Sequence, residues 1–125
     1  MARKTILIVD DSDSICSGIA SYLEVNGYGA LTAHDGEEGV RVARRERPDV
    51  ILLDIMMPVL DGWEAMKQLK ADVRTVGIPV LALTALRLSA DQVSGAGFDG
   101  YLSKPVLPHR LIEEIDRVSP GGRAG

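Results

Sequence analysis

Ile6-Leu7-Ile8-Val9-Asp10-Asp11 decides how the rest of the chain is read. Four consecutive apolar residues are too few for a helix face. They also lack the alternation of a strand with one wet face, so they fit a strand buried on both faces of a parallel sheet. The run stops abruptly at two carboxylates. The same form recurs downstream, with Val50-Ile51-Leu52-Leu53 followed by Asp54 and Val80-Leu81-Ala82-Leu83 followed by Thr84. Tyr28 to Ala33 is a weaker strand candidate, and Gly100-Tyr101-Leu102 is a short one, soon followed by Lys104-Pro105.

Amphipathic helices fill the intervals. The first is expected from about Asp13 to Asn26, with Ile15, Ile19 and Leu23 on one face and Gly27 as a left-handed terminator. The second starts at Asp35 with Glu38 three positions on, a capping box, and stops before Pro48. The third opens Asp61-Gly62-Trp63-Glu64, again with box spacing. The fourth is cued by Ser89 and Gln92 but meets Gly95 and Gly97 almost at once, and each glycine costs about 1 kcal/mol against alanine inside a helix. The fifth follows Pro108 and carries Leu111, Ile112, Ile115 and Val118. Strands alternating with helices imply βαβ units with right-handed crossovers. The expected fold class is therefore α/β, a doubly wound parallel sheet with helices on both faces. One domain is expected over residues 1–119, with 120–125 a disordered tail.

Composition narrows the function. The chain has 125 residues, 46% hydrophobic and 26% charged, which is ordinary for a globular domain. A net charge of −4 argues against nucleic acid as a direct partner. The single cysteine, Cys16, excludes an intrachain disulfide and a cysteine metal cage. No apolar run approaches the roughly 18 residues of a membrane span, and the first one is too short for a signal-peptide core. A cytoplasmic protein is expected.

In a doubly wound sheet the site lies beyond the carboxyl ends of the strands. Asp10, Asp11, Asp54, Thr84 and Lys104 all fall there. Two unit charges about 4 Å apart repel by about 4 kcal/mol at an effective dielectric of 20, so three gathered carboxylates need a cation. Oxygen ligands alone favour a hard ion, Mg²⁺ before Zn²⁺. A hydroxyl, an amine, such an ion and a carboxylate together stabilise a phosphoryl group in transit. Each residue alone has an ordinary reading. Asp10-Asp11 can cap a helix, Asp54 can serve a turn, Thr84 can end a strand, and Lys104 can be a solvated surface charge. Four such coincidences at four strand ends are less economical than one site.

These residues resemble the receiver domain of two-component response regulators. The resemblance is carried by Ile6–Asp11, by Leu52-Leu53-Asp54-Ile55-Met56-Met57-Pro58 with Asp61-Gly62, by Thr84-Ala85, and by Gly97 to Pro105. It implies a flavodoxin-like five-stranded sheet of order 2-1-3-4-5. It makes Asp54 the phosphoacceptor, taking its phosphoryl group from the phosphohistidine of a histidine kinase or phosphotransfer protein. Asp10, Asp11, Asp54 and the Met56 backbone carbonyl become the ligands of Mg²⁺ (or Mn²⁺). Lys104, Thr84 and the Ala85 N–H hold phosphoryl oxygens, and Lys104-Pro105 matches the family's cis peptide. Thr84 and Tyr101 form the switch. The implied protein is a signalling domain and not an enzyme, a monomer that acts by binding a downstream protein target, with neither membrane nor nucleic acid as partner. Two other readings stand beside it: a receiver module of a longer hybrid kinase or phosphorelay, and a Mg-dependent phosphohydrolase with an aspartate nucleophile.

The chain departs from the family pattern between Thr84 and Gly97, which is shorter than usual. A short fourth helix with fast amide exchange across Ser89–Gly95 is therefore expected, with an altered output face and with Phe98 packed into the space left. Met56 and Leu86 are apolar where a polar side chain could orient a water, so slow self-dephosphorylation is expected. His34, His109, Cys16, Tyr22 and Trp63 are assigned to loops, helix ends and packing. The arginines at 41, 44, 45 and 47 are read as a solvated face.

Overall fold

A computed structural model describes residues 3–85 and 88–119. Its elements alternate as expected: β1 (Thr5–Val9), α1 (Asp13–Val25), β2 (Gly29–Ala33), α2 (Gly36–Glu46), β3 (Val50–Asp54), α3 (Gly62–Lys70), β4 (Val80–Thr84), α4 (Ala90–Gly95), β5 (Gly100–Ser103) and α5 (Pro108–Val118). All strand pairs are parallel, and the sheet order is β2-β1-β3-β4-β5. The expected tail at 120–125 and the apolar position Leu86 lie outside the described residues.

The unbroken apolar runs have a direct explanation. In β1, Leu7 and Val9 face one core cluster while Ile6 and Ile8 face the other. Ile51 and Leu53 oppose Val50 and Leu52 in β3 in the same way, as do Val80 and Ala82 against Leu81 and Leu83 in β4. Both sheet faces are covered, by α2 and α3 on one side and by α1 and α5 on the other, so the period-2 alternation separates two cores instead of core from water. At about 1.5–3 kcal/mol for each fully buried aliphatic side chain, these strands carry much of the stability.

Helix ends show where local chemistry was legible. Ser12, Asp35, Asp61 and Ser89 are N-caps whose side chains accept backbone N–H groups three residues on. A full capping box forms at Ser89/Gln92. At α2 the box is altered, because Glu38 accepts the N–H of His34 at 2.6 Å and not that of the cap residue. At α3 the recorded cap bond is the one from the Glu64 N–H to Asp61. Gly27 does adopt a left-handed φ of 89°. Arg47 closes α2 at φ 45°, a left-handed C-cap that the sequence does not announce, and Pro48 follows it.

The fourth helix is indeed short, with six residues. The glycines act differently from the expectation: Gly95 is the last helical residue, and Gly97 lies outside the helix at φ 92°, where a side chain is strained. Phe98 is 5% exposed and meets Trp63 edge to face, with ring centroids 5.9 Å apart.

Candidate functional site

Because every strand runs the same way, the C-terminal residues of β1, β3, β4 and β5 meet along one edge. Asp10 follows β1 and is fully buried; Asp11, next to it, is exposed. Asp54 closes β3 at 3% exposure, and Thr84 closes β4, fully buried. Lys104 directly follows β5 and precedes a cis peptide to Pro105, and its N–H donates to the Thr84 carbonyl at 2.9 Å.

The amine of Lys104 bridges two carboxylates. Its Nζ lies 2.6 Å from Asp10 Oδ2 and 3.1 Å from Asp54 Oδ2. The Asp54 contact has hydrogen-bonding geometry, whereas the Asp10 oxygen is a close charge contact without a well-directed donor. The other oxygens face backbone: Asp54 Oδ1 accepts the Met56 N–H at 3.1 Å, and Asp10 Oδ1 accepts the Ser12 N–H at 2.9 Å. Burial raises the Asp54 carboxyl pKa above its ordinary value, with Asp10 adding to it and Lys104 opposing it. Burial works against the Lys104 charge, but its contacts with Asp10 and Asp54 prevail and the pKa is raised.

Asp10, Asp11 and Asp54 each offer a carboxylate oxygen, all within 4.8 Å of one another. The donor set fits a hard divalent cation: all oxygen, mostly anionic, with one buried oxygen lacking a directed donor. Asp11 is exposed and so leaves the cluster reachable from solvent.

The backbone around Asp54 is set by close approaches. A Cβ on Gly62 would lie 2.6 Å from both the Asp54 carbonyl oxygen and the Ile55 Cα. The Gly62 N–H donates to the Ile55 carbonyl at 2.9 Å, so the start of α3 is pinned onto the end of β3. A Cβ on Gly36 would likewise run into the Leu60 carbonyl. Between these anchors Val59 sits at φ 71°, a left-handed conformation that β-branched residues avoid, with its side chain 80% exposed. Neither the Gly36 contact nor the Val59 strain was visible in the sequence. Val59 follows Pro58, a turn signal, but nothing there fixes the sign of φ.

The remaining expectations sort by position. Ala85 is exposed at the same edge. Met56 is 61% exposed, and its backbone N–H is the one bonded to Asp54. Tyr101 is 37% exposed on β5 and lines an open groove of about 600 Å³ with Phe98, His109, Arg110 and Glu114. Cys16 donates its S–H to the Asp10 carbonyl at 3.3 Å, and burial first, then Asp10, pushes its thiol up to about 11, so it is inert packing. His34 is exposed and pairs with Asp13 at 2.8 Å.

The family model for the response regulator receiver domain matches residues 6–116. The chain is a member of the response regulator receiver family of two-component signalling. It is 43% identical to PilH of Pseudomonas aeruginosa over 97% of this chain and the whole of that protein. It is 44% identical to the alkaline phosphatase synthesis regulator PhoP of Bacillus subtilis over 93% of this chain but only 48% of that one. Among solved structures, the chemotaxis protein CheY4 of Vibrio cholerae superposes with a TM-score of 0.87 at 34% identity, covering 94% of this chain and 99% of that one. The receiver domain of a Pseudomonas aeruginosa sensor histidine kinase, with magnesium coordinated in its active-site cleft, gives 0.85 at 35% identity over 94% and 98% of the two chains. No helix among the described residues is long and apolar enough to cross a membrane.

Proposed function

We propose that Asp54 is a phosphoacceptor and that residues 1–119 act as one phosphorylation-dependent receiver. The supporting observation is the buried Asp54 carboxylate, held by Lys104 beside Asp10 and Asp11 at the mouth of the sheet. An Asp54 oxygen attacks the phosphorus of a phosphohistidine on a kinase or phosphotransfer protein. The new O–P bond forms as the P–N bond breaks, and the electron pair leaves with the imidazole nitrogen.

Lys104 is placed to neutralise a phosphoryl oxygen after releasing its carboxylates. The Thr84 hydroxyl and the Ala85 N–H are candidates for a second oxygen. Asp10, Asp11, Asp54 and the Met56 carbonyl would hold Mg²⁺, or Mn²⁺, which when bound offsets the carboxylate charge and the charge on the transferring group. Thr84 and Tyr101 then report the phosphorylated state to a protein target, so that the phosphoryl group selects one conformation by its contacts. Such a domain promotes its own phosphorylation but turns over no separate substrate. Monomeric action in the cytoplasm, where a kinase would present its phosphohistidine, completes the reading.

Coverage of the whole of PilH supports a stand-alone receiver. The likeness to a kinase-borne receiver supports the alternative of a module in a longer phosphorelay. Incubation with Mg²⁺ and beryllofluoride or acetyl phosphate is the test. A stoichiometric spectral change that Asp54→Asn abolishes is expected. Catalytic turnover of phosphomonoesters would instead establish the phosphohydrolase, and no response would refute both.

A further inference from the structure

A second feature lies away from Asp54. An open cleft of about 530 Å³ runs along the seam of α2 and α3, lined by Val40, Arg41, Arg44, Arg45, Gln68 and Arg74, with Glu37 at its end. Arg44 and Arg45 belong to the last turn of α2, and Arg74 to the segment joining α3 to β4. In a parallel sheet both places lie toward the edge opposite the carboxyl ends of the strands.

The charge here runs against that of the whole molecule. The chain carries −4, yet four guanidinium groups line one groove against three carboxylates: Glu37 in the lining, and Asp72 and Glu46 paired with its arginines. Asp72 is shared: Arg44 Nε lies 2.9 Å from Oδ2, and Arg74 Nη2 lies 2.7 Å from the same oxygen. Arg74 holds Asp72 with two bonds, its Nε donating to Oδ1 at 3.1 Å as well, while the Arg44 contact is a close charge pair without hydrogen-bonding geometry. Arg45 meets its neighbour Glu46 at 3.1 Å. Arg41 is exposed, and no carboxylate among the described residues pairs with it.

The shape narrows the ligand. The groove is open, and among the described residues no aromatic ring lines it. That argues against a nucleotide, whose base stacks on such a ring. Its floor is buried Val40 together with the aliphatic stems of the arginines. Guanidinium forks match carboxylates two bonds at a time. We propose that this α2–α3 groove docks an acidic polypeptide segment of a partner protein, one with carboxylates flanking an apolar side chain, and that docking is independent of the chemistry at Asp54.

A short fluorescein-labelled peptide alternating glutamate with leucine is the probe, read by fluorescence anisotropy. Saturable binding near 50 mM salt is expected, weakening tenfold or more by about 300 mM, because exposed charges are screened over that range. The double reversal Arg41→Glu/Arg45→Glu should weaken it at least tenfold while the circular dichroism spectrum is unchanged. The double reversal Arg110→Glu/Arg117→Glu, both on α5 across the sheet, adds the same charge elsewhere and should leave binding within twofold. Asp54→Asn should also bind normally, so loss of phosphoacceptor activity and loss of docking are separate results. The proposal is overturned if the peptide fails to saturate, if the control reversal weakens it equally, or if inorganic pyrophosphate displaces it at micromolar concentration, which would make the groove a small-anion site.

Discussion

Replacing Lys104 with methionine tests the electrostatics on which the site depends. The ammonium sits 2.6 Å from Asp10 and 3.1 Å from Asp54, both essentially buried, while the lysine side chain itself is 19% exposed. At an effective dielectric of 20 each contact is worth about 5–6 kcal/mol before desolvation. Desolvating an ammonium returns several kcal/mol of that. Breaking a buried pair typically costs about 3–5 kcal/mol, and partial exposure places this site near 3 kcal/mol. Without the lysine, two buried carboxylates and the adjacent Asp11 face one another with no fixed cation. A divalent cation should then recover part of the loss, since each tenfold gain in its affinity adds about 1.4 kcal/mol. Urea unfolding with and without saturating Mg²⁺ reads both quantities. Lys104→Met should lower the stability of the metal-free protein by about 3 kcal/mol. Mg²⁺ should then stabilise the variant by at least about 1 kcal/mol more than it does the wild type. A variant as stable as wild type, or one that gains no more from Mg²⁺, would show that the carboxylates are not electrostatically strained and would refute the reasoning.

Gly62→Ala places a Cβ 2.6 Å from the Asp54 carbonyl oxygen, a backbone atom that cannot swing aside; a loss of about 3 kcal/mol or more in urea unfolding, with a reduced yield of beryllofluoride complex, is expected. Val59→Gly relieves a φ of 71° at an exposed residue and should raise the unfolding free energy by about 1 kcal/mol. Tyr28→Phe removes the O–H bond donated to Asp116 at 2.6 Å and should cost about 1–2 kcal/mol in urea unfolding. Burial, with the Asp116 bond second, pushes the Tyr28 hydroxyl up to about 12. A folded pKa above the unfolded one stabilises the protein fully below the unfolded value of 10.0 and ceases to do so as pH rises through about 12, so the wild-type advantage should shrink across that interval.

What was legible in the sequence was legible for a reason. A strand buried on both faces has to be apolar throughout, so β1, β3 and β4 stood out as runs, and the first polar residue after each run marked the sheet edge where a ligand binds. Asp10, Asp54 and Thr84 were found by that rule, Lys104 by its place just after the short last strand, and all four share one edge. Features made by residues distant in sequence were not legible. Arg74 joins Arg41, Arg44 and Arg45 only when the loop before β4 folds back beside α2, so the basic run read as a solvated face. The approach of Gly36 to Leu60 depends on tertiary packing, and the altered box at Glu38 depends on a choice between two neighbouring N–H groups. The sign of φ at Arg47 and Val59 follows from the path of the chain, since both residue types disfavour it.

The two sides of Asp54 differ in how firmly they are held. Toward α3 the backbone is fixed at short range: the Gly62 N–H is bonded to Ile55, and any side chain at 62 or 36 would collide with main-chain atoms. Toward α4 the anchor is slight. That helix has six residues and, of its described side chains, buries Val93, before a chain reversal at Gly97. Phe98, clamped on Trp63, is the firm contact beyond it. A change in charge at Asp54 that draws on Lys104 and Thr84 therefore meets a stiff wall on one side and a soft one on the other. Displacement follows the weaker restraint, into α4 and the groove under Tyr101, because interiors resist continuous deformation and move where few buried contacts must be broken. On this argument the six-residue fourth helix is the part beside the site that is easiest to move. Amide exchange across residues 89–95 should already be fast before phosphorylation and should slow when beryllofluoride is bound. Equal protection in both states would place the response elsewhere.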